Sequence, residues 1–228
     1  MSFKKMLALL MSVLSIAACT LPFSGCGKIV GNASDKGAKS GAVRNLTENI
    51  SKNDSDSKAA DKEFKAAAAS FSADLFKYNY SNGKTTLVSP LSVLTALALV
   101  QNGADGETLV QLERALGGLD RDALNKYMRA YCDFLSAGDE LKIANSVWTD
   151  SSVEAKQTFL QKAVDSYSAQ IFSAPLSSKK TVSSINSWVK KNTDGMIPKI
   201  IENADRDAVM MLINAVAFEA KWETPYTN

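Results

Sequence analysis

From Asp61 onward the apolar positions recur at helical spacing, with Phe64, Ala67, Ala68, Phe71, Leu75 and Phe76 forming one stripe. Asn82-Gly83 follows as a turn signal. Ser89-Pro90-Leu91-Ser92 predicts a second helix, with Ser89 at the N-cap and Pro90 at the first helical position, where its missing N–H costs nothing. From Leu91 to Val100 only Ser92 and Thr95 are polar. A helix apolar all round is buried all round, so this one belongs at the centre of the fold. Gln101-Asn102-Gly103 stops it, and a third helix runs from Glu107 to Leu116 with Leu109, Leu112 and Leu116 inward, ending at Gly117-Gly118. Asp120 caps a fourth, with Leu124, Tyr127, Met128, Tyr131 and Leu135 on one face.

The period then changes. Leu141, Ile143, Asn145 and Val147 alternate with Lys142, Ala144, Ser146 and Trp148, which reads as a strand. Helical spacing returns at Phe159, Leu160, Ala163, Val164 and Tyr167, and again at Val182, Ile185, Trp188 and Val189, closed by Asp194-Gly195 and Pro198. Residues 208–222 contain no Gly or Pro and are apolar on both parities up to Glu219, except at Asn214. The alternation of Met211, Ile213, Ala215 and Ala217 favours a strand, which would span about 50 Å. A helix of similar length stays open on propensity alone. An unpaired amide in mid-run would cost about 1–3 kcal/mol, so Asn214 is expected to have partners, with Ser89 or Ser92 as candidates.

Upstream of Asp61 the composition shifts. Lys4 and Lys5 precede an apolar run from Met6 to Ala18, too short for a spanning helix, so residues 1–18 read as a cleaved export signal. Ile16-Ala17-Ala18-Cys19 resembles a bacterial lipobox, in which the cysteine sulfur takes a diacylglycerol. Cys26 is the alternative attachment site, and an ordinary secretory cut after Ala18 stays open. Either way the protein is expected outside the cytoplasm, as a cell-surface lipoprotein or a secreted, extracellular protein. Residues 19–61 read as the attachment site and a flexible linker. In the stretch 27–61, 22 of 35 residues are Gly, Asn, Ser, Asp or Lys and none is aromatic, which cannot offset the entropy of ordering. Such a tether reaches roughly 30 Å. Its Asn-x-Ser/Thr triplets at Asn32, Asn45, Asn49 and Asn53 are read as by-products of that composition.

The composition removes several chemistries. The chain has 26 Lys+Arg against 24 Asp+Glu and no His. A net charge of +2 gives no case for nucleic-acid binding. Without His there is no Ser-His-Asp or Cys-His nucleophilic site and no His-containing zinc site. With Cys19 and Cys26 in the leader, Cys132 is left alone in a helical pattern and is expected to pack as a small apolar residue. No enzyme, metal site or cofactor is expected.

Several segments resemble the serpin family in order along the chain. Leu87-Val88-Ser89-Pro90-Leu91-Ser92-Val93 with Ala96-Leu97 is similar to the entry into the family's helix B. Asn102-Gly103-Ala104-Asp105-Gly106-Glu107-Thr108 resembles its Gly-Ala-x-Gly-x-Thr motif. Ile143-Ala144-Asn145-Ser146-Val147-Trp148 is similar to strand 2 of the main sheet, and Phe159-Leu160 with Tyr167 to helix E. Ile185-Asn186-Ser187-Trp188-Val189 through Ile197 resembles helix F and its exit. Leu212-Ile213-Asn214-Ala215 and Phe218-Glu219-Ala220-Lys221-Trp222 resemble strand 3, with Glu219-Ala220 in place of the usual Lys-Gly.

The resemblance implies an α+β serpin fold over residues 62–228, comprising helices A–F and part of main sheet A. It implies a suicide-type inhibitor of serine proteases, with cysteine proteases as a further target class. A bait loop is cleaved and inserts as a new strand beside strand 3, trapping the acylated protease. Ser89, Ser92 and Asn214 would belong to the shutter beneath the opening sheet and Trp222 to the breach where insertion begins. The bait loop (reactive-centre loop) and the shutter His would lie beyond Asn228, so the chain alone is expected to be inactive and the full-length protein a monomer held at a membrane by its lipid. A non-inhibitory serpin acting as a binding or chaperone-like protein is the alternative. A solute-binding lipoprotein, which would show alternating βαβ units and a ligand cleft, is the rival from another class.

Overall fold

The computed structural model describes residues 42–54, 56–135, 137–138, 140–204 and 207–220. Cys19, Cys26 and Trp222 lie outside the described residues. The elements in chain order are β1 (Arg44–Asn45), α1 (Lys62–Asn79), α2 (Pro90–Gln101), α3 (Gly106–Ala115), α4 (Arg121–Leu135), β2 (Leu141–Asp150), α5 (Gln157–Tyr167), β3 (Gln170–Ala174), α6 (Lys179–Asn192) and β4 (Met210–Phe218).

Helix starts follow side-chain chemistry. Asp61 caps α1 by accepting from the Phe64 N–H at 3.0 Å, and Ser89 caps α2 from the Ser92 N–H with Pro90 behind it. Asp120 accepts from the Ala123 N–H at 2.9 Å at the start of α4, and Ser178 caps α6. The Gly117-Gly118 stop is steric as well as conformational: Gly117 has φ +100°, and a Cβ there would sit 2.7 Å from the Ala67 carbonyl oxygen of α1. That contact sets how closely α1 approaches the end of α3.

Among the described residues four strands form one sheet in the order β1-β3-β2-β4. β2 and β3 are parallel, joined through α5, while β1–β3 and β2–β4 are antiparallel. The solute-binder rival required a series of alternating βαβ units, whereas the described elements contain one, β2–α5–β3, in a mixed sheet. The period-2 alternation of the strands separates two cores. Val147 and Ile171 face a cluster built by α1, α2, α4 and α5, including Phe64, Leu94, Leu99 and Tyr127. Trp148, Phe172, Met211 and Ile213 face α6 and the segment after it, with Ile185, Val189 and Ile197. Trp148 stacks on Phe172 with ring centroids 4.2 Å apart. α2 packs directly against β4 and is buried along most of its length, as an all-apolar helix must be.

Three expectations are corrected. The composition of residues 42–61 implies a flexible tether, yet the described residues among them, 42–54 and 56–61, lie on the domain as a strap. The Leu46 N–H donates to the Ile171 carbonyl at 2.7 Å and the Lys58 N–H to the Lys126 carbonyl at 3.1 Å. The Asn53 N–H and Nδ2 both donate to the Asp165 carboxylate, at 2.8 and 3.2 Å, and Leu46 and Ile50 pack against the core. Composition failed here because the partners come from a surface already folded, so few apolar residues suffice. Two of the Asn-x-Ser/Thr asparagines are structural for the same reason: Asn45 Oδ1 accepts from the Thr47 N–H and hydroxyl, and Asn53 grips Asp165.

The inward faces are also narrower than the periodicity implied. Phe76 is 45% exposed, and α3 buries no residue within its span, Leu116 being buried just beyond it. Finally, the long apolar run is a strand, as its alternation favoured, but it occupies Met210–Phe218 and not the whole of 208–222. Cys132 is a buried free thiol, and burial pushes its pKa up to about 11.

Candidate functional site

The polar residue that interrupts β4 meets the polar residue that interrupts β2. Asn145 and Asn214 stand directly opposite in the β2–β4 ladder, both buried, and Asn214 Nδ2 donates to Asn145 Oδ1 at 2.7 Å. The partner of Asn214 is therefore Asn145, and not Ser89 or Ser92 as expected. A cross-strand neighbour is fixed by register, whereas the α2 hydroxyls lie in another layer. Asn214 Oδ1 is buried without a hydrogen-bond partner, so the amide is half satisfied.

From this pair a chain of hydrogen bonds runs away from the sheet. Asn145 Nδ2 donates to the Tyr167 carbonyl at 3.0 Å, at the C-terminus of α5. The Tyr167 hydroxyl donates to Asn125 Oδ1 on α4 at 2.6 Å, and Asn125 Nδ2 donates to Asn102 Oδ1 at 2.8 Å. Asn102 Nδ2 returns to the Ala98 carbonyl of α2 at 2.9 Å. Burial pushes the Tyr167 hydroxyl far above its ordinary pKa, which keeps it a neutral donor at every physiological pH. One tyrosine thus joins the β2–β4 pair through its backbone and two helices through its side chain.

Ser89 and Ser92 sit at the mouth of α2, with hydroxyl oxygens 3.1 Å apart and Ser92 fully buried. Thr95 completes a polar row on this helix by donating to the Leu91 carbonyl at 2.8 Å. The helix beneath β4 therefore offers small hydroxyl side chains at its entry where a bulky apolar ridge would interlock. Sequence reasoning singled out Ser89, Ser92 and Asn214 but missed Asn145, Tyr167, Asn125 and Asn102. A signal existed for Asn145, which falls on the Ile143/Val147 parity of its strand, a polar residue in an apolar stripe.

On its outer edge β4 pairs with no further strand among the described residues. No helix among the described residues is long and apolar enough to cross a membrane, and no group of three or more His, Cys, Asp or Glu among them could hold a metal ion. The arrangement has no nucleophile–base pair. It is a strand pair pinned at mid-length by two amides and tied to the helices by one tyrosine.

Residues 66–228 match the family described as Serpin (serine protease inhibitor). Leukocyte elastase inhibitor of Bos taurus is 31% identical over 175 residues, covering 72% of this chain and 46% of that protein. Serpin-Z2A of Oryza sativa subsp. japonica is 33% identical over 156 residues, covering 64% of this chain and 37% of that protein. The crystal structure of a thermophilic serpin, tengpin, in the native state matches with a TM-score of 0.74 and 44% identity, covering 81% of this chain and 48% of that one. The chain thus spans about half the length, or less, of these relatives. With that match extending over most of the described domain, the chain belongs to the serpin family, whose members are generally protease inhibitors.

Proposed function

We propose that the whole protein to which this chain belongs is an exported, lipid-anchored inhibitor of serine endopeptidases. It acts by inserting a cleaved bait loop beside β4. The observation that carries this reading is the match of residues 66–228 to the serpin family, with β4 tied to β2 by the Asn145–Asn214 pair and seated on α2. In this reading the cleaved loop becomes one more strand beside β4. The Asn145–Asn214 pair holds β2 and β4 together as that strand arrives, and Ser89 and Ser92 beneath form the low-friction floor, which is the shutter role.

The names of relatives such as leukocyte elastase inhibitor and plasma serine protease inhibitor support a serine protease as target. The test is incubation of the full-length protein with trypsin, chymotrypsin and elastase. A complex surviving SDS is expected with at least one, and bait-loop cleavage without any trapped complex refutes inhibition. Anchoring at Cys19, or alternatively Cys26, is tested by mass spectrometry of the mature N-terminus. A diacylglyceryl cysteine is expected, and an unmodified Cys19 or Thr20 start refutes it.

A further inference from the structure

We infer that Asn82 is a site of spontaneous covalent modification, where the side-chain amide cyclises onto the next residue, and that the fold withholds the same reaction from Asn102. The chain contains two Asn-Gly dipeptides, Asn82-Gly83 and Asn102-Gly103. This dipeptide is reactive because glycine has no side chain to hinder its backbone nitrogen as it approaches the amide carbon. The Gly nitrogen attacks Cγ of the asparagine and a C–N bond forms. The side-chain amino group leaves with the proton of the Gly N–H as ammonia, which closes a succinimide ring. Water then opens the ring at either carbonyl and leaves an aspartyl or an isoaspartyl residue, with no oxidant or reductant consumed.

Ring closure requires the peptide plane after the asparagine to rotate until the Gly nitrogen faces the amide carbon. The structure opposes that rotation very differently at the two places. Asn82 and Gly83 are both exposed, in the turn between α1 and α2. The Lys84 N–H donates to the Ser81 carbonyl at 3.1 Å, and Gly83 has φ +76° whereas Asn82 has no positive φ, which defines a type II turn. That single exposed bond is what rotation has to break. Neither the Asn82 side chain nor the Gly83 N–H makes a hydrogen bond among the described residues.

Asn102 is locked. It is the C-cap of α2 with φ −68° and ψ −17°, a helical backbone that turns the Gly103 nitrogen away from the amide carbon. The Gly103 N–H is taken by the Val100 carbonyl at 2.8 Å. Asn102 Nδ2 donates to the Ala98 carbonyl and to Asn125 Oδ1, at 2.9 and 3.0 Å, and its Oδ1 accepts from Asn125 Nδ2 at 2.8 Å. Cyclisation there has to unwind the end of α2 and break the chain of amides that leads to Tyr167. At Asn82 the fold loses little, yet the link into α2 is changed. Each event adds a negative charge beside Lys84, and the isoaspartyl form inserts an extra methylene into the main chain ahead of the Ser89 cap.

The test incubates the 228-residue chain at mildly alkaline pH, with and without urea, and follows both sites by peptide mapping with mass spectrometry. Trypsin releases the two dipeptides on separate peptides, because Lys84 lies between them. In the folded chain the amide at position 82 should be lost about tenfold or more faster than that at 102, since the reaction at 102 has to wait for local unfolding. In urea the two rates should converge, through acceleration at 102 and not at 82. Enzymatic methylation of isoaspartyl carboxylates gives an independent readout, and N82Q should remove most of that labelling while leaving the circular dichroism unchanged. Equal rates at 82 and 102 in the folded chain overturn the inference. So do an amide at 82 that survives until urea is added, or labelling undiminished in N82Q.

Discussion

Replacing Asn145 by Ala should cost more stability than replacing Asn214 by Ala, although the two residues share one hydrogen bond. Asn145 holds two partners. Its loss strands Asn214 Nδ2, whose amide oxygen is already unpartnered, and removes the donor 3.0 Å from the Tyr167 carbonyl. At about 1–3 kcal/mol for each buried group left unpaired, Asn145→Ala should cost about 2–6 kcal/mol. Asn214→Ala strands only Asn145 Oδ1 and deletes an oxygen that was unsatisfied, so its cost should be about 0–2 kcal/mol. The double variant leaves only the Tyr167 carbonyl short of a partner, so it should cost less than the sum of the singles by about 1–2 kcal/mol. Urea unfolding followed by tryptophan fluorescence measures all three, since Trp148 is buried in the core. A constant m-value is required for the comparison. An Asn214→Ala variant as damaged as Asn145→Ala, or strict additivity, would refute the reasoning.

Other consequences follow from the strap, a cap and a turn. Asp165→Ala should release the strap at Asn53, lowering stability by about 1–3 kcal/mol and speeding hydrogen exchange at the Asn53 amide; unchanged exchange there would contradict the docking. The Asp61 carboxyl is held well below its ordinary value of 3.8 by the Phe64 N–H, Lys58 and the Tyr127 hydroxyl. A depressed acid contributes stability above its unfolded pKa and loses it as pH falls through the folded value. The stability gap between the parent and Asp61→Asn should therefore be full at neutral pH and narrow below about pH 4, and a pH-independent gap would count against the arrangement. Gly117→Ala should destabilise far more than Gly118→Ala. Both have positive φ, yet only the former meets the α1 backbone at 2.7 Å, so thermal midpoints reduced equally would show that φ alone matters.

Much of this molecule is determined locally. Ser89-Pro90 starts a helix, and the run behind it, apolar except at Ser92 and Thr95, demands burial on all sides. The alternation around Asn145 makes a strand, and Asp194-Gly195 ends α6 with both residues at positive φ. These outcomes depend on residues within one or two turns of each other, and a linear pattern records them. The family resemblance rests on the same segments taken in order.

What the tertiary structure decided lies between positions distant in the chain. Asn145 and Asn214 are 69 residues apart, and only the antiparallel register makes them partners. Asn53 and Asp165 are 112 apart, so the strap looks like linker until the surface it docks on exists. Tyr167 reads as a buried aromatic at helical spacing. Its hydroxyl nevertheless reaches α4 while its carbonyl receives β2, because α5 ends where the sheet and the helices meet. Periodicity tells which face of an element is buried. Which polar groups must find each other inside is settled by packing, since each buried donor has to be satisfied by whatever the fold brings within hydrogen-bonding distance.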